Sequence, residues 1–296
     1  MSAIATYDLH LHTYWSYDAD TEPVRYFEQA RALGVKCMAI TEHHVLDSLP
    51  ELREIAKDYP DVILVPSAEL SVTTSIGSVD LLCFGFPPAL STAVTDMLAA
   101  YHAWQRAYGA AVSAGLSAIG CPFSDEERLA LLKTYRPEKA VQLHGATHVK
   151  GGIMRQFCVD RGYMKSFTEW GGLMERAAQA VPFPDYPHVR DVVPTVKASG
   201  ARVAIAHPHV YFNYGDVERM DQLRLECGLD GIECAHSAVP GKFIPVYRDY
   251  CEQHDLFSTG GSDCHSVAEM GKGFAGHGGP DEWLEEFLER IHHTAN

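Results

Sequence analysis

The stretch "ARVAIAHPH", residues 201–209, joins a short apolar run to a pair of histidines. Residues 201–206 are apolar apart from Arg202, and a run of this length is typical of a buried strand. His207 follows the run directly, and an imidazole at the end of such a strand needs a polar partner or a ligand. Taken alone, the stretch allows either a hydrogen-bonded core histidine or a metal ligand. The choice depends on whether the pattern recurs along the chain.

The pattern recurs. Seven short apolar runs occur, most with a polar residue at or just past the C-terminal end: 4–11, 35–40, 62–66, 79–86, 201–206, 231–236 and 256–261. Helical patterns separate many of them: 22–33, 49–59, 189–199, 217–227, 242–254 and 280–292. This alternation favours an α/β fold with parallel strands and helical crossovers. Seven units favour a closed or nearly closed barrel, and a doubly wound open sheet is the alternative topology.

The alternation stops between residues 87 and 190. Two prolines at 87–88 mark the exit, and helical patterns follow at 92–116, 124–133, 153–161 and 166–180. A proline-rich stretch, 181–187, leads back to the strand–helix pattern. We therefore predict a barrel domain of residues 1–86 and 191–296 with a helical insertion of residues 87–190.

Charge and composition exclude some classes of function. The formal net charge of −15 disfavours an extended, sequence-independent grip on nucleic acid, although bound cations would still allow a small anionic substrate. There is no apolar run of membrane-spanning length and no leader-like N-terminus, so we expect a cytoplasmic protein with no membrane partner. The eight cysteines include no CxxC pair, which is typical of reduced, buried thiols. The oligomeric state stays open.

Polar residues at the strand ends form a candidate metal site. In α/β barrels the C-terminal strand ends converge on one face, and in extended backbone His10 and His12 point to the same side. The residues expected to meet there are His10, His12, Asp18, His43, Glu69, Asp80, His207, Asp263 and His265. Such a mixed nitrogen and oxygen set suits Zn²⁺, Mn²⁺ or Fe rather than Ca²⁺. Nine ligands fit two or three divalent ions with Glu69 as a bridge, and without cations the carboxylates would repel each other.

Five segments resemble, in order, the motifs of the polymerase-and-histidinol-phosphatase (PHP) superfamily. They are His10-Leu-His12-Thr13, Thr41-Glu-His43, Ala68-Glu69-Leu70, Ala206-His207-Pro208 and Gly261-Ser-Asp263-Cys-His265. The resemblance covers residues 5–86 and 200–266. The insertion and Gly231-Ile-Glu233 resemble the TrpH/YciV-like branch, which contains nucleotide phosphatases and 5′–3′ exonucleases acting on short RNA. This implies a distorted seven-stranded (β/α)7 barrel, the PHP fold.

The resemblance also implies a trinuclear metal site and its ligand sets. One ion would take His10, His12, Glu69 and Asp263; a second Glu69, Asp80 and His207; a third Asp18, His43 and His265. Two positions depart from the family pattern. Glu42 stands where an Asp usually precedes the histidine, and Asp80 stands where a His is common, which puts the second ion's affinity and identity in doubt. The branch's Arg-Pro-His segment has no clear counterpart in the insertion.

The function implied is a metal-dependent phosphoester hydrolase. A hydroxide bridging the ions would attack phosphorus, so no Ser or Cys nucleophile is needed, and no GxSxG motif is present. We expect small phosphomonoesters as substrates: nucleoside monophosphates, 3′,5′-bisphosphonucleotides or the 5′ ends of short single-stranded oligonucleotides. The alternatives are a histidinol-phosphate-type phosphatase, a non-catalytic metal-stabilised PHP module and a metal-dependent amidohydrolase.

Further residues are candidates for proton transfer and substrate binding. His236 or His209 would protonate the leaving oxygen or hold a phosphate oxygen. In the insertion, the candidate anion contacts are Lys150, Arg155 and Arg161, although for each residue taken singly the pattern favours a solvated charge on a helix surface. The aromatic residues after the quoted stretch, which would stack on a base or pack within the loop, are Tyr211, Phe212 and Tyr214.

Overall fold

The computed structural model describes residues 5–292, so the first residue of the strand predicted at 4–11 lies outside the described residues. The strands are β1 (Tyr7–Leu11), β2 (Cys37–His43), β3 (Ile63–Thr74), β4 (Gly77–Phe84), β5 (Arg202–Ile205), β6 (Gly231–His236) and β7 (Phe257–Gly261). The helices are α1 (Pro23–Leu33), α2 (Leu49–Ala56), α3 (Thr92–Ala118), α4 (Asp125–Leu132), α5 (Glu138–His144), α6 (Gly151–Asp160), α7 (Trp170–Ala180), α8 (Val189–Ala198), α9 (Val217–Glu226), α10 (Ile244–Gln253), α11 (Val267–Gly273) and α12 (Asp281–His292).

The seven strands form one sheet in which they lie in chain order. The first and last strands, β1 and β7, also contact each other at their C-terminal ends. The backbone N–H of His12 donates to the carbonyl of Cys264 (3.0 Å), and the backbone N–H of Asp263 donates to the carbonyl of His10 (2.8 Å). The sheet is therefore a nearly closed barrel, as the sequence predicts, and the open doubly wound sheet is excluded. The closure also brings the C-terminal ends of β1 and β7 side by side, and with them the candidate ligands in and directly after these strands.

One strand runs against the others, and here the prediction of parallel strands with helical crossovers is wrong. β4 is antiparallel to both β3 and β5, while the remaining neighbours pair in parallel. Residues 75–76 form a tight turn between β3 and β4, where no helix intervenes. As a result the start of β4 lies at the same edge as the C-terminal ends of the parallel strands. Ser71 of β3 pairs with Asp80 of β4, which places Asp80 near Glu69.

Local signals account for several helix ends. α1 begins at Pro23, whose fixed φ suits a first helical position, and ends at Gly34, which has a φ of +73°. α4 is preceded by a capping box in which Ser124 and Glu127 each accept a hydrogen bond from the other's backbone N–H. The sequence analysis did not predict α5 and α11, which have seven residues each and are too short to show a clear apolar period.

A glycine in β7 allows the barrel to close tightly. A Cβ atom at Gly261 would lie 2.3 Å from Cβ of His10, 2.7 Å from its backbone nitrogen and 3.0 Å from Oε1 of Glu233. Any side chain at this position would therefore push β7 away from β1. Since the His10 side chain is fully buried, the close approach fixes where its ring can point.

The chain divides into two compact units. The barrel unit consists of Met1–Thr13, Thr21–Leu98 and Tyr186–Asn296, and the helical unit of Tyr14–Asp20 and Ala99–Asp185. The helical unit has its own core, whose most buried members are Leu116, Phe123, Leu132, Val141, Cys158, Leu173 and Ala177. Arg136 holds the separate segment 14–20 within this unit by donating to the carbonyls of Tyr14 (2.9 Å) and Trp15 (3.0 Å). The helical unit thus begins and ends at Ala99 and Asp185 rather than at the predicted residues 87 and 190. It also includes residues 14–20, which were predicted to belong to the barrel domain.

Within residues 5–292, no helix has the length and apolar content required to cross a bilayer.

We predict that Gly261→Ala lowers the free energy of unfolding by about 1–3 kcal/mol, because the new methyl group overlaps His10. Urea-induced unfolding followed by circular dichroism measures the change. Gly271→Ala is the matched control, since its Cβ would meet nothing within 4 Å on exposed α11. An equal effect of the two substitutions would contradict the close approach of β7 to β1.

Candidate metal centre

The strand ends of the barrel unit bring together eight of the nine predicted ligands. His10 and His12 lie in and directly after β1, His43 ends β2, and Glu69 lies opposite His43 on β3. The other four are Asp80 on β4, His207 after β5, and Asp263 and His265 after β7. The ninth, Asp18, belongs to the helical unit, so its role as a ligand stays a prediction.

The first cluster consists of His10, His12, Glu69 and Asp263. Oε2 of Glu69 lies 3.2 Å from Nε2 of both His10 and His12. Oδ1 of Asp263 lies 3.3 Å from Nε2 of His10 and 3.2 Å from Nε2 of His12. Two imidazole nitrogens and two carboxylate oxygens thus surround one point, with all four atoms within 4.8 Å of one another. This is the donor number of a tetrahedral ion.

The second cluster consists of Glu69, Asp80 and His207, and it shares Glu69 with the first. Nε2 of His207 lies 3.1 Å from Oε1 of Glu69 and 3.8 Å from Oδ2 of Asp80. Because Oε2 of Glu69 belongs to the first cluster, its two oxygens face two different clusters. This is the arrangement of a carboxylate that bridges two ions.

The third cluster consists of His12, His43 and His265. Nε2 of His43 lies 3.3 Å from Nε2 of His265, and the His12 ring is 4.3 Å from the His43 ring and 4.2 Å from the His265 ring between centroids. Nδ1 of His43 also lies 3.2 Å from Oε2 of Glu69, which connects this cluster to the first. The sequence analysis predicted His43 and His265 as ligands of the third ion together with Asp18. Within the barrel unit, the residue that accompanies these two histidines is His12.

The electrostatics of the clusters require positive charge. Burial alone would lower the pKa of His10, but Glu233, Asp263 and Glu69 together raise it well above its usual value. Burial alone would raise the pKa of Glu69, but His10 and His43 hold it well below its usual value. The pKa of Asp263 is lowered in the same way against burial, with His10 as the main cause. Each carboxylate is thus kept ionised, and divalent cations would supply the compensating charge between neutral imidazoles.

Unsatisfied buried atoms support a fit to cations. Among the described residues, Oδ1 of Asp263 and Nε2 of His236 are buried and have no hydrogen-bond partner. An ionised oxygen that is buried without a hydrogen bond carries a substantial desolvation penalty, which a bound ion removes. Imidazole and carboxylate donors together suit Zn²⁺, Mn²⁺ or Fe, so the residues present fit divalent metal ions.

Glu233 of β6 holds two candidate ligands in place. Its Oε1 lies 2.9 Å from Nδ1 of His10, and its Oε2 accepts the backbone N–H of His207 at 2.6 Å. If Nδ1 of His10 donates to this carboxylate, the lone pair of Nε2 faces the first cluster. His207 has a φ of +27°, a rare conformation for a residue other than glycine, and the Glu233 contact stabilises it. The sequence analysis used Glu233 only as a branch marker; its position as a carboxylate within a buried strand could have revealed this role.

Two more buried carboxylates secure the loops that follow the strands. Asp8 accepts the backbone N–H groups of Ser262 (3.0 Å) and Ala275 (2.8 Å), and burial raises its pKa to about 6. Glu42 accepts the backbone N–H of Thr13 at 3.1 Å and also the Thr13 hydroxyl. The carboxylate of Glu42 is therefore engaged by the loop after β1, beside the ligands.

The two candidate proton donors lie in different surroundings. Nε2 of His236 lies 3.5 Å from Oδ2 of Asp263, and its Nδ1 accepts the backbone N–H of Ala238 at 3.0 Å. An accepting Nδ1 leaves the proton on Nε2, which is the atom that faces the first cluster. His209 instead has Nδ1 3.0 Å from the hydroxyl of Tyr247, and its ring packs against Phe243 at 4.7 Å. Of the two, His236 is the one placed beside the candidate ligands.

Asp80 is held by two hydroxyl groups. Ser71 donates to its Oδ1 at 2.5 Å and Tyr211 to its Oδ2 at 2.7 Å. These bonds orient the carboxylate that stands where the family commonly has a histidine. They also give Tyr211 a role in positioning Asp80. Phe212 is fully buried, so the hypothesis that it stacks on a base is wrong, whereas Tyr214 is 61% exposed.

The three predicted anion contacts lie in the helical unit. Lys150 precedes α6, and its Nζ is 3.8 Å from Oδ2 of Asp20. Arg155 lies on α6 with its guanidinium 5.8 Å from the Trp170 ring centroid. Arg161 is half exposed and paired with Glu127. Their contact with a substrate stays a prediction.

Comparison with known proteins shows a similarity in the first part of the chain. Residues 8–124 match the family model of the PHP domain. The match spans less than half of the chain and includes β1 to β4. The match includes His10, His12, Glu69 and Asp80, so four members of the first two clusters lie inside the PHP region. No curated protein sequence matches the chain.

Two solved structures resemble this chain over nearly its full length. One, from Bifidobacterium adolescentis, is assigned as a metal-dependent phosphoesterase; it has a TM-score of 0.73 and 23% identity, covering 98% of both chains. The other, from Chromobacterium violaceum, is an amidohydrolase with bound sulfate and no metal; it has a TM-score of 0.69 and 20% identity, covering 95% of this chain and 97% of that one. At these identities the likeness shows the fold.

We predict that Glu233→Gln weakens metal binding about 10- to 100-fold, because a neutral amide no longer orients and polarises His10. Competition with a chromogenic chelator measures the affinity. Glu252→Gln is the matched control, since Glu252 is exposed and paired with Arg248 on α10. Equal affinities of the Glu233→Gln and unaltered proteins would contradict the role of Glu233.

Proposed function

We propose that the protein is a metal-dependent phosphoesterase that hydrolyses small phosphomonoesters. The bridging position of Glu69, with one oxygen in each of two clusters, is the observation that carries the proposal. Two or three divalent ions would be held by the first, second and third clusters, and Mn, Zn or Fe matches their donors. Nucleoside monophosphates, 3′,5′-bisphosphonucleotides and the 5′ ends of short oligonucleotides form the proposed substrate class, as in the TrpH/YciV-like branch.

The burial of the ligands suits a site that binds substrate from one side. The side chains of His10, His12 and Glu69 are at most 1% exposed, whereas those of Asp80, His207 and Asp263 are 22–24% exposed. The inner residues would hold the ions, and the outer ones line the side from which a phosphate group can approach. The relative from Chromobacterium violaceum binds sulfate, an anion of the same shape as phosphate, which supports this substrate chemistry.

Bound divalent ions would supply Lewis acidity at the phosphoryl group and activate a water molecule. The residues of the chain would orient the metal ligands and supply a proton to the leaving oxygen. Glu233 holds His10 and the backbone of His207, and Ser71 and Tyr211 hold Asp80. The geometry of the ligands is thereby set before substrate arrives.

His236 is the proposed proton donor to the leaving oxygen. Its Nε2–H faces Asp263 and makes no hydrogen bond within the described residues. No thiol competes as a nucleophile at the strand ends, since burial raises the pKa of the nearby Cys264 to about 12. A neutral thiol reacts poorly, so direct attack by water is the favoured route.

Amide hydrolysis is the second candidate, because the relative from Chromobacterium violaceum carries the name amidohydrolase. The same donor set could activate water towards a carbonyl carbon. A histidinol-phosphate-type phosphatase and a non-catalytic PHP module complete the set of candidate functions. A panel with AMP, adenosine 3′,5′-bisphosphate, histidinol phosphate and an N-acyl amino acid distinguishes all four, and binding of metal without turnover would indicate the non-catalytic module.

We predict that chelation abolishes phosphate release from AMP and that His12→Ala reduces kcat/KM by at least about 1,000-fold, because His12 belongs to the first and third clusters. Malachite-green detection of phosphate measures both. His254→Gln is the control, since His254 follows α10 and packs on Tyr250. Undiminished turnover after complete metal removal would refute the proposal.

We predict that Asp80→Ala lowers the bound metal by about one ion per chain, whereas Asp80→His retains the full number, because imidazole replaces carboxylate as a ligand of the second cluster. Elemental analysis after gel filtration gives the stoichiometry. The same metal content in Asp80→Ala as in the unaltered protein would show that Asp80 is not a ligand.

A further inference from the structure

The helical unit contains a cavity of about 180 Å³ lined by aromatic and aliphatic side chains. Tyr17, Tyr108, His148 and Trp170 line it, all belong to the helical unit, and each is partly exposed. A protein cavity of roughly 150 Å³ with apolar walls admits benzene. The volume and the walls therefore suit a flat ring system.

The aromatic residues of the cavity are packed against one another. The rings of Tyr17 and His148 lie 3.7 Å apart between centroids, and those of Tyr108 and His148 lie 5.0 Å apart at 63°. Met154, which is buried, adds a polarisable thioether to the lining. Side chains that are already ordered lose little conformational entropy when a ligand binds, so the cavity is preorganised.

Arg128 adds a buried guanidinium group to this lining. It is only 2% exposed; its Nη1 donates to the carbonyl of Gly109 (2.6 Å) and lies 3.1 Å from Oδ1 of Asp125, and its Nε donates to a second backbone carbonyl. Nη1 also donates to the hydroxyl of Ser113, so Nη2 is the nitrogen of the guanidinium group left to face a ligand. A buried guanidinium group in the lining favours a ring that carries acceptor atoms over a plain hydrocarbon.

We propose that the helical unit binds a purine base in this cavity, with the acceptor edge of the base towards Arg128. Arginine N–H groups donate to O6 and N7 of guanine, a role that Nη2 of Arg128 would take here, and aromatic side chains stack on bases of any sequence. A phenyl ring lacks the acceptors, and an inorganic anion lacks the flat faces, so guanine satisfies both features of the cavity. All the groups involved lie in the helical unit and none of them is a candidate metal ligand, so we expect binding to need no metal.

Guanosine is the test ligand, because it has the base and no phosphate. Titration calorimetry on the full chain, with and without a chelator, should give the same dissociation constant in both conditions. Tyr108→Ala and Trp170→Ala should each raise this constant about tenfold or more. Phe167→Ala is the matched control, since Phe167 is an exposed aromatic residue close to Trp170 in sequence and not in the cavity lining, and it should leave binding unchanged.

Two further measurements test the acceptor edge and guard against misfolding. 7-Deazaguanosine, which lacks N7, should bind several-fold more weakly than guanosine, and Trp170→Phe should retain most of the binding because a ring remains. Absence of guanosine binding at millimolar concentration, or binding that Tyr108→Ala and Trp170→Ala leave unchanged in folded protein, would overturn the proposal. Because no phosphate is released in these experiments, the outcome is separate from that of the phosphoesterase tests.

Discussion

The buried carboxylate of Glu69 is the constraint around which the barrel unit is arranged. Its Oε2 lies 3.2 Å from nitrogens of His10, His12 and His43, and its Oε1 lies 3.1 Å from His207. A buried charge without partners would cost several kcal/mol, so these imidazoles, or the ions they would bind, must stay close to it. They come from three other strand ends, and the positions of β1, β2 and β5 relative to β3 are therefore tied to one side chain.

Three other buried carboxylates accept hydrogen bonds from the backbone of loops near the clusters. Asp8 accepts N–H groups from the loops after β7, Glu42 from the loop after β1, and Glu233 from the loop after β5. Loops are usually mobile, but each of these donates a hydrogen bond to a buried carboxylate on a strand, which restrains it. The ligands that follow the strands are thereby held nearly as firmly as those within them.

The barrel and most ligands could be predicted because their signals are local. Each apolar run and each terminal histidine or carboxylate can be recognised in a few residues, and the order of the runs then gives the barrel. The direction of β4 could not be predicted. An apolar run indicates that a strand is buried, but it does not show whether that strand pairs with its neighbour in parallel or antiparallel. The contacts of Glu233 could not be predicted either, because its partners, His10 and the backbone of His207, lie far away in sequence. Asp18 could be recognised as a candidate ligand, but it lies in the helical unit, so its part in the site rests on the resemblance alone.

Closure of the barrel between β1 and β7 gives the candidate metal centre a place in the folding of the chain. The first cluster joins His10 and His12, near the start of the chain, to Asp263, close to its end. During synthesis the early ligands therefore leave the ribosome long before their last partner does. Contacts between such distant segments form late, because a long loop must be closed to make them. A nascent chain that stops short of β7 lacks both the Asp263 carboxylate and the backbone partners of His10 and His12. Binding of the first ion would thus require a completed barrel, and it would stabilise the contact between β1 and β7.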